Sequence, residues 1–137
     1  MAPAEFEYPV PTGRRIELVN VTRQVAQAAK QSGVETGIAL VSVPHTTCAL
    51  IVNEDEPGLR EDILRLVTQV VEPLRAAEPF AHDRIDDNAA AHLGSVLLQC
   101  SVAVPITSGR PALGTWQSVF LVELDGPRRR TLRVTIR

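Results

Sequence analysis

Cysteine, histidine and aromatic side chains are all scarce in this chain, and each shortage excludes a class of protein. The two cysteines, Cys48 and Cys100, make no disulfide framework and fall in no metal-binding spacing. Aromatic residues make up 4% of the chain, too few for the stacking platform of a single-strand nucleic-acid binder. No apolar run approaches the ~20 residues that span a bilayer. The start, MAPAEFEYPV, carries acidic residues where a secretory signal carries basic ones, and it lacks an apolar centre. An excess of one charge is missing too. Lysine and arginine total 14 against 16 acidic residues, a net −2, which exerts no global pull on nucleic acid or an anionic membrane. The expectation is a cytoplasmic protein with reduced thiols, no membrane segment and no nucleic-acid partner.

What is present suits one domain over residues 1–137, with 45% hydrophobic residues for a single core. Residues 1–13, closed by Pro11-Thr12-Gly13, read as a peripheral arm. A strand at Ile16–Val19 leads to a helix capped by Asn20 or Thr22 and stopped by Gly33, with Val21, Val25, Ala28 and Ala29 on its weak apolar face. Thr36–Val43 reads as a strand by its β-branched content, and Pro44 marks an edge or bulge. Cys48–Val52 is apolar on both faces, so a strand covered on both sides is expected. A helix starts near Pro57, shows a stripe of Leu59, Ile63, Leu66, Val67 and Val70, and ends at Pro73. Residues 75–85 read as a loop, and Asp86 or Asp87 as the cap of a helix through Leu98. Strands at Ser101–Ile106, Thr115–Leu124 and Thr131–Ile136 close the chain, with antiparallel pairing expected from their short connections.

His45, His82 and His92 are the only histidines, and none sits in a plain aliphatic stripe. Their long separations match no metal motif, so two readings stand: a shared site, or three imidazoles bonded to nearby backbone and threonine groups. Asn88 precedes His92 by one helical turn and shares its face. Glu54, beside Asn53 and Asp55, is either a general base or part of a charged helix start. His82-Asp83-Arg84 puts a base, an acid and a cation in a loop before a helix. Gly109-Arg110 and Gly114-Thr115-Trp116-Gln117 bracket a third region, where Trp116 is a subunit anchor, a pocket wall or a core residue. The arginines 128, 129, 130, 133 and 137 read as solubility or subunit contacts ahead of a nucleic-acid patch. Neither cysteine has the setting of an activated nucleophile, and Cys48 reads as a small buried residue.

Pro44-His45-Thr46-Thr47, Asn53-Glu54, His82-Asp83, Asp87–Ser95, Gly114-Thr115-Trp116-Gln117 and Glu123–Arg128 together resemble the YjbQ-like family of small proteins, in order and spacing. That resemblance implies a mainly β fold, a jelly-roll-like β-sandwich with attached helices, assembled as a homotrimer. It implies secondary thiamine-phosphate synthase activity, joining a pyrimidine methyl diphosphate to a thiazole phosphate with release of pyrophosphate. It maps site histidines onto His45, His82 and His92 and polar site positions onto Glu54, Asp83 and Asn88. A divalent metal on the three histidines would then be zinc, with magnesium the choice for a diphosphate substrate. Arg84, Arg110 and a bound cation would neutralise the leaving group. The phrase from Asn53 to Pro57 is one residue shorter than the family's, and Cys100 stands where glycine is common. The alternative function is a noncatalytic metal- or metabolite-binding protein.

Overall fold

The structure is a computed structural model that describes residues 2–137. The chain runs β1 (Ala4–Pro11), β2 (Glu17–Asn20), α1 (Thr22–Ser32), β3 (Thr36–Ser42), β4 (Cys48–Glu54), α2 (Pro57–Ala77), a 3-10 turn (Ala81–Arg84), α3 (Ala89–Leu98), β5 (Ser101–Thr107), β6 (Arg110–Pro111), β7 (Gln117–Glu123) and β8 (Arg129–Ile136). One sheet has the order β1-β8-β3-β5-β6 and the other β2-β7-β4, with every ladder antiparallel.

The jelly-roll sandwich is corrected by this topology. A jelly roll closes two Greek keys over eight strands, whereas here the second sheet stops at three strands and remains open. After β4 the chain enters α2 and α3, which pack on the face of the small sheet and add no strand to it. The fold is therefore mixed α/β, with a curled five-stranded sheet, a small unclosed sheet and helices packed on both. β5, β7 and β8 do not pair with one another, contrary to the expectation from their short connections. β7 pairs with β2 and β4, and β8 with β1 and β3, so the short connections cross between sheets.

Alternation of side chains across strands explains the two cores. Val119 and Leu121 of β7, with Cys48 and Leu50 of β4, face the five-stranded sheet and meet Val41, Leu132 and Val134. Phe120 and Val122, with Ala49, face the other way and pack against Val67 of α2 and Ala91 of α3. The double coverage expected for Cys48–Val52 is thus present over its first residues. Helix α1 inserts Val25, Ala28 and Ala29 into the first core, and Gly33 ends it in the left-handed conformation at φ 70°.

Four local expectations change. Ala4–Pro11, read as part of an arm, is an edge strand paired along the whole of β8, with Val10 buried. Pro73 lies inside α2 rather than at its end. Both Pro73 and Gln69, whose carbonyl loses its helical partner, are exposed, so the break lies on the solvent side of the helix. Residues 75–85 continue α2 to Ala77 before the 3-10 turn. The buried face of α2 is Val67 and Val71, which rotates Leu66, Val70 and Leu74 into solvent. Glu56 caps this helix, accepting from the amides of Gly58 and Leu59 at 2.8 and 2.6 Å. Gly94 is required by packing: a Cβ there would stand 2.9 Å from Leu124 Cδ1 and 3.3 Å from Val67 Cγ1.

Candidate functional site

The connection from β3 to β4 crosses between the sheets and presents His45, Thr46 and Thr47 at its turn. Opposite stands the start of α3 with Asn88 and His92, and a third wall is Arg128 of the β7–β8 connection with Arg130 at the start of β8. These residues, with Val43 and Pro44, line an open cleft of about 590 Å³. His82 lies behind it, edge-on to His92, with ring centroids 4.8 Å apart and planes at 82°.

Asn88 occupies the cap position of α3, in place of the expected Asp86 or Asp87, yet its side chain caps nothing. An asparagine there usually bonds the first free helix amides, a contact worth ~1 kcal/mol. Instead Asn88 Oδ1 meets His82 Nε2 at 3.1 Å, and its Nδ2 donates to Asp125 Oδ2 at 3.0 Å. Arg128 donates to the same Asp125 oxygen at 3.0 Å and to the Asp125 carbonyl at 2.8 Å. Burial pushes the Asp125 carboxyl up, but hydrogen bonds from Asn88 and Arg128 outweigh it and hold the group below the usual carboxylate range. A continuous chain His82–Asn88–Asp125–Arg128 results.

Beneath the cleft, Arg130 and Glu123 form an ion pair with 4% and 0% of their side chains exposed. Arg130 Nε donates to both Glu123 oxygens at 3.1 and 2.7 Å, and Nη2 donates to Thr47 O and Oγ1 at 3.1 and 2.9 Å. The Thr12 hydroxyl donates to Glu123 at 3.2 Å. These hydrogen bonds compensate the carboxylate and the Nε and Nη2 donors of the arginine for their burial. It also ties the His45–Thr47 connection to β8. Among the described residues, the Nη1 atoms of Arg128 and Arg130 have no protein hydrogen-bond partner.

The Thr131 amide donates to His45 Nε2 at 2.9 Å, which makes that nitrogen the acceptor and puts the proton of the neutral ring on Nδ1. Burial, then the charge of Arg130, lowers the His45 pKa from its ordinary 6.5. As pH falls below that value the unfolded chain takes up a proton that folded His45 refuses. The stability due to neutral His45, complete above the ordinary value, is therefore lost as pH falls through the lowered native one. Between about pH 7.5 and about pH 5, the urea midpoint should fall more steeply in the wild type than in His45→Gln. Parallel profiles would contradict this assignment.

The remaining sequence candidates lie elsewhere. Asp83 turns from the cleft to bond Arg75, which also pairs with Glu72 and stacks 4.7 Å from the Phe80 ring centre. Arg84 is exposed on the 3-10 turn. Glu54 pairs with Gln117 at the far end of β4 from Cys48, about 20 Å along a strand of this length. Trp116 sits at that same end and is 72% exposed, so it is not a core residue. Arg110 lines a separate cavity with Lys30 and Glu35. Cys48 is fully buried and its thiol is pushed up to about 11, chiefly by burial, which makes it inert.

Arg128, Arg130, Glu123, Asp125 and Thr47 stand in the late arginine group or in the phrases that carry the resemblance, but sequence reasoning gave them no site role. A signal existed: Arg130 shares strand parity with Leu132, Val134 and Ile136, the buried face of β8. Among the described residues no group of three or more His, Cys, Asp or Glu side chains is placed to hold a metal ion. His45 Nε2 accepts from the Thr131 amide, which leaves the other nitrogen of that neutral ring protonated and without a lone pair, so the three imidazoles as arranged do not fit a shared metal.

The model of the family described as UPF0047 protein YjbQ-like matches residues 6–137. A UPF0047 protein of Archaeoglobus fulgidus is 44% identical, over 94% of this chain and 98% of its own. YugU of Bacillus subtilis, also a UPF0047 protein, is 35% identical over 89% of this chain and 90% of its own. Among solved structures, a YbjQ-like protein of Sulfolobus solfataricus superposes with a TM-score of 0.92 at 43% identity, covering 98% of this chain and 96% of that one. A hypothetical protein of Aeropyrum pernix gives 0.91 at 39% identity, covering 98% of both chains. Matches of this length and identity extend over both sheets, the helices and all three walls of the cleft, and the chain belongs to the UPF0047 YjbQ-like family.

Proposed function

We propose that the cleft binds a small phosphate-bearing metabolite and that the protein acts as a binding protein for it. The observation that carries this reading is the lining itself: donors face the cleft and no carboxylate does. The Asp125 and Glu123 carboxylates stand behind their arginines, which leaves the Nη1 edges of Arg128 and Arg130, the Nδ1–H of His45 and the Thr46 hydroxyl for an oxyanion. Arginine suits this role through its fixed donor geometry. Removing one charge-assisted contact costs about 1.5–3 kcal/mol, or roughly 10–100-fold in affinity. Calorimetric titration with inorganic phosphate should show that loss in Arg128→Ala and no change in Arg110→Ala. Undiminished binding by Arg128→Ala would overturn the placement.

A second reading, the secondary thiamine-phosphate synthase activity, is favoured by the His82–Asn88–Asp125–Arg128 chain beside the anion lining. In that reaction the thiazole nitrogen lone pair forms the new C–N bond while the methylene C–O bond breaks toward pyrophosphate. Arg128 and Arg130 would hold the departing diphosphate, and a histidine would supply its proton. Zinc on the three histidines, or magnesium escorting the diphosphate, belongs to this reading, and the zinc requires His45 to give up its bond from Thr131. Pyrophosphate release that disappears in folded His92→Ala would favour the enzyme, as would zinc bound stoichiometrically and lost in each histidine variant. Phosphate binding without turnover favours the binding protein.

A homotrimer is part of the same proposal. Leu66, Val70 and Leu74 on α2, Ile38 and Leu40 on β3, and Trp116 are exposed apolar groups that association would cover. A trimer mass is expected in solution, and a stable monomer would overturn it. Among the described residues no helix is long and apolar enough to cross a membrane.

A further inference from the structure

We infer that the cleft is one lobe of a two-lobed site whose ligand is a phosphate monoester with an apolar substituent, rather than phosphate alone. This rests on the anion reading above. His45, Thr46 and His92 line two concavities at once. On one side is the arginine lobe; on the other is a lobe of about 410 Å³ formed with Ser95, Val96, Gln99 and Cys100. The second lobe has no arginine, lysine or carboxylate in its lining. Both volumes lie within the range of small-molecule sites. An apolar side chain standing 70% exposed in a concavity, as Val96 does, offers area to a ligand rather than to the core.

The second lobe is a fixed part of the fold. Gln99 leaves α3 with φ 83°, and its carbonyl accepts from the Leu50 amide at 3.1 Å. The Cys100 carbonyl accepts from the Val43 amide at 3.0 Å. Ser95 Oγ donates to the Cys48 carbonyl at 2.8 Å. These bonds clamp the end of α3 onto β4 and onto the residue that leads into the His45 turn. A dianionic head at the arginines and an apolar body beside Val96 and Cys100 would place the ester bond along the wall of His45, Thr46 and His92. Inorganic phosphate would use only the first lobe.

Cys100 is an exposed thiol and Cys48 a buried one, so alkylation by iodoacetamide reports on the second lobe alone. The wild-type protein is treated with the reagent in the presence of inorganic phosphate or of phenyl phosphate, with both affinities measured by calorimetry. Phenyl phosphate should bind about tenfold tighter, as burial of one ring face predicts, and should slow alkylation of Cys100, whereas phosphate should leave the rate unchanged. In Val96→Asn, at an exposed position, the phenyl advantage should fall to about threefold with phosphate affinity unaltered. Equal affinities, or phenyl phosphate binding without protection of Cys100, would overturn the second lobe while leaving the anion site standing. Failure of both ligands to bind would overturn the anion reading itself, and this inference with it.

Discussion

Replacing Glu123 with alanine is expected to destabilise the protein by about 3–5 kcal/mol. The carboxylate is completely buried, and it holds Arg130 through both oxygens and Thr12 through one. Its removal strands a guanidinium that is 4% exposed and meets the cleft by one edge only. Native domains have only about 5–15 kcal/mol in total, so the variant should be largely unfolded well below the wild-type midpoint. The double variant Glu123→Leu with Arg130→Met removes both ions and should recover much of the loss, because a buried pair is often no more stabilising than well-packed apolar groups. Urea denaturation of the single and double variants checks this. A single variant within about 1 kcal/mol of wild type would mean that the pair is hydrated, contrary to its burial. The double variant should also bind phosphate weakly although folded, which separates Arg130's role in the cleft from its role in stability.

Phe120→Ala should cost about 3–5 kcal/mol by a different route. Phe120 is fully buried on the helix side of β7, among Ala49, Val67, Ala91, Val122 and Leu124, with the Arg60 guanidinium 5.1 Å from its ring centre. It is the largest fully buried side chain, and the apolar surface that α2 and α3 share passes through it. The resulting cavity should loosen α3 against β4, so His92 and Asn88 lose their fixed positions before the five-stranded sheet melts. Hydrogen exchange is expected to show α2 and α3 opening first, with phosphate affinity falling in parallel. Uniform loss of protection across both sheets would contradict this division into two cores.

How much of this was legible in the chain depends on which physical signal each part leaves. Cys48–Val52 was read as covered on both faces because no polar residue interrupts it, and β4 does separate the two cores. Gly33 marked the end of α1 because its left-handed conformation disfavours other residues. The position of Pro73 inside α2 was not legible, since helix pattern alone does not reveal that the broken turn faces water. The stripe of α2 was read correctly at Val67 but wrongly at Leu66 and Val70, because these are as apolar as the residues actually buried. Strand identity was readable for all but β1 and β6, but sheet membership was not: local alternation says nothing about which partner a strand crosses to meet, and the jelly-roll expectation failed at that step.

The site divides in the same way. His45 and His92 do face one cleft, with His82 against His92, yet the ion pair beneath them drew no attention as sequence. The late arginines were treated as a surface group, although two-residue alternation puts Arg130 with Leu132, Val134 and Ile136, and Glu123 with Val119 and Leu121. Asn88 was legible as a helix-start residue sharing a face with His92. That its amide is spent on His82 and Asp125 instead of capping is a tertiary fact.

The claim that a carboxylate-free, arginine-lined cleft receives an oxyanion is tested most directly by diffraction from crystals soaked in tungstate, which locates the anion by its anomalous signal. The expected result is an anion within hydrogen-bonding reach of Arg128, Arg130 and His45 Nδ1. Anomalous density at the Lys30–Arg110 cavity alone, or none in the histidine cleft at a saturating concentration, would contradict it.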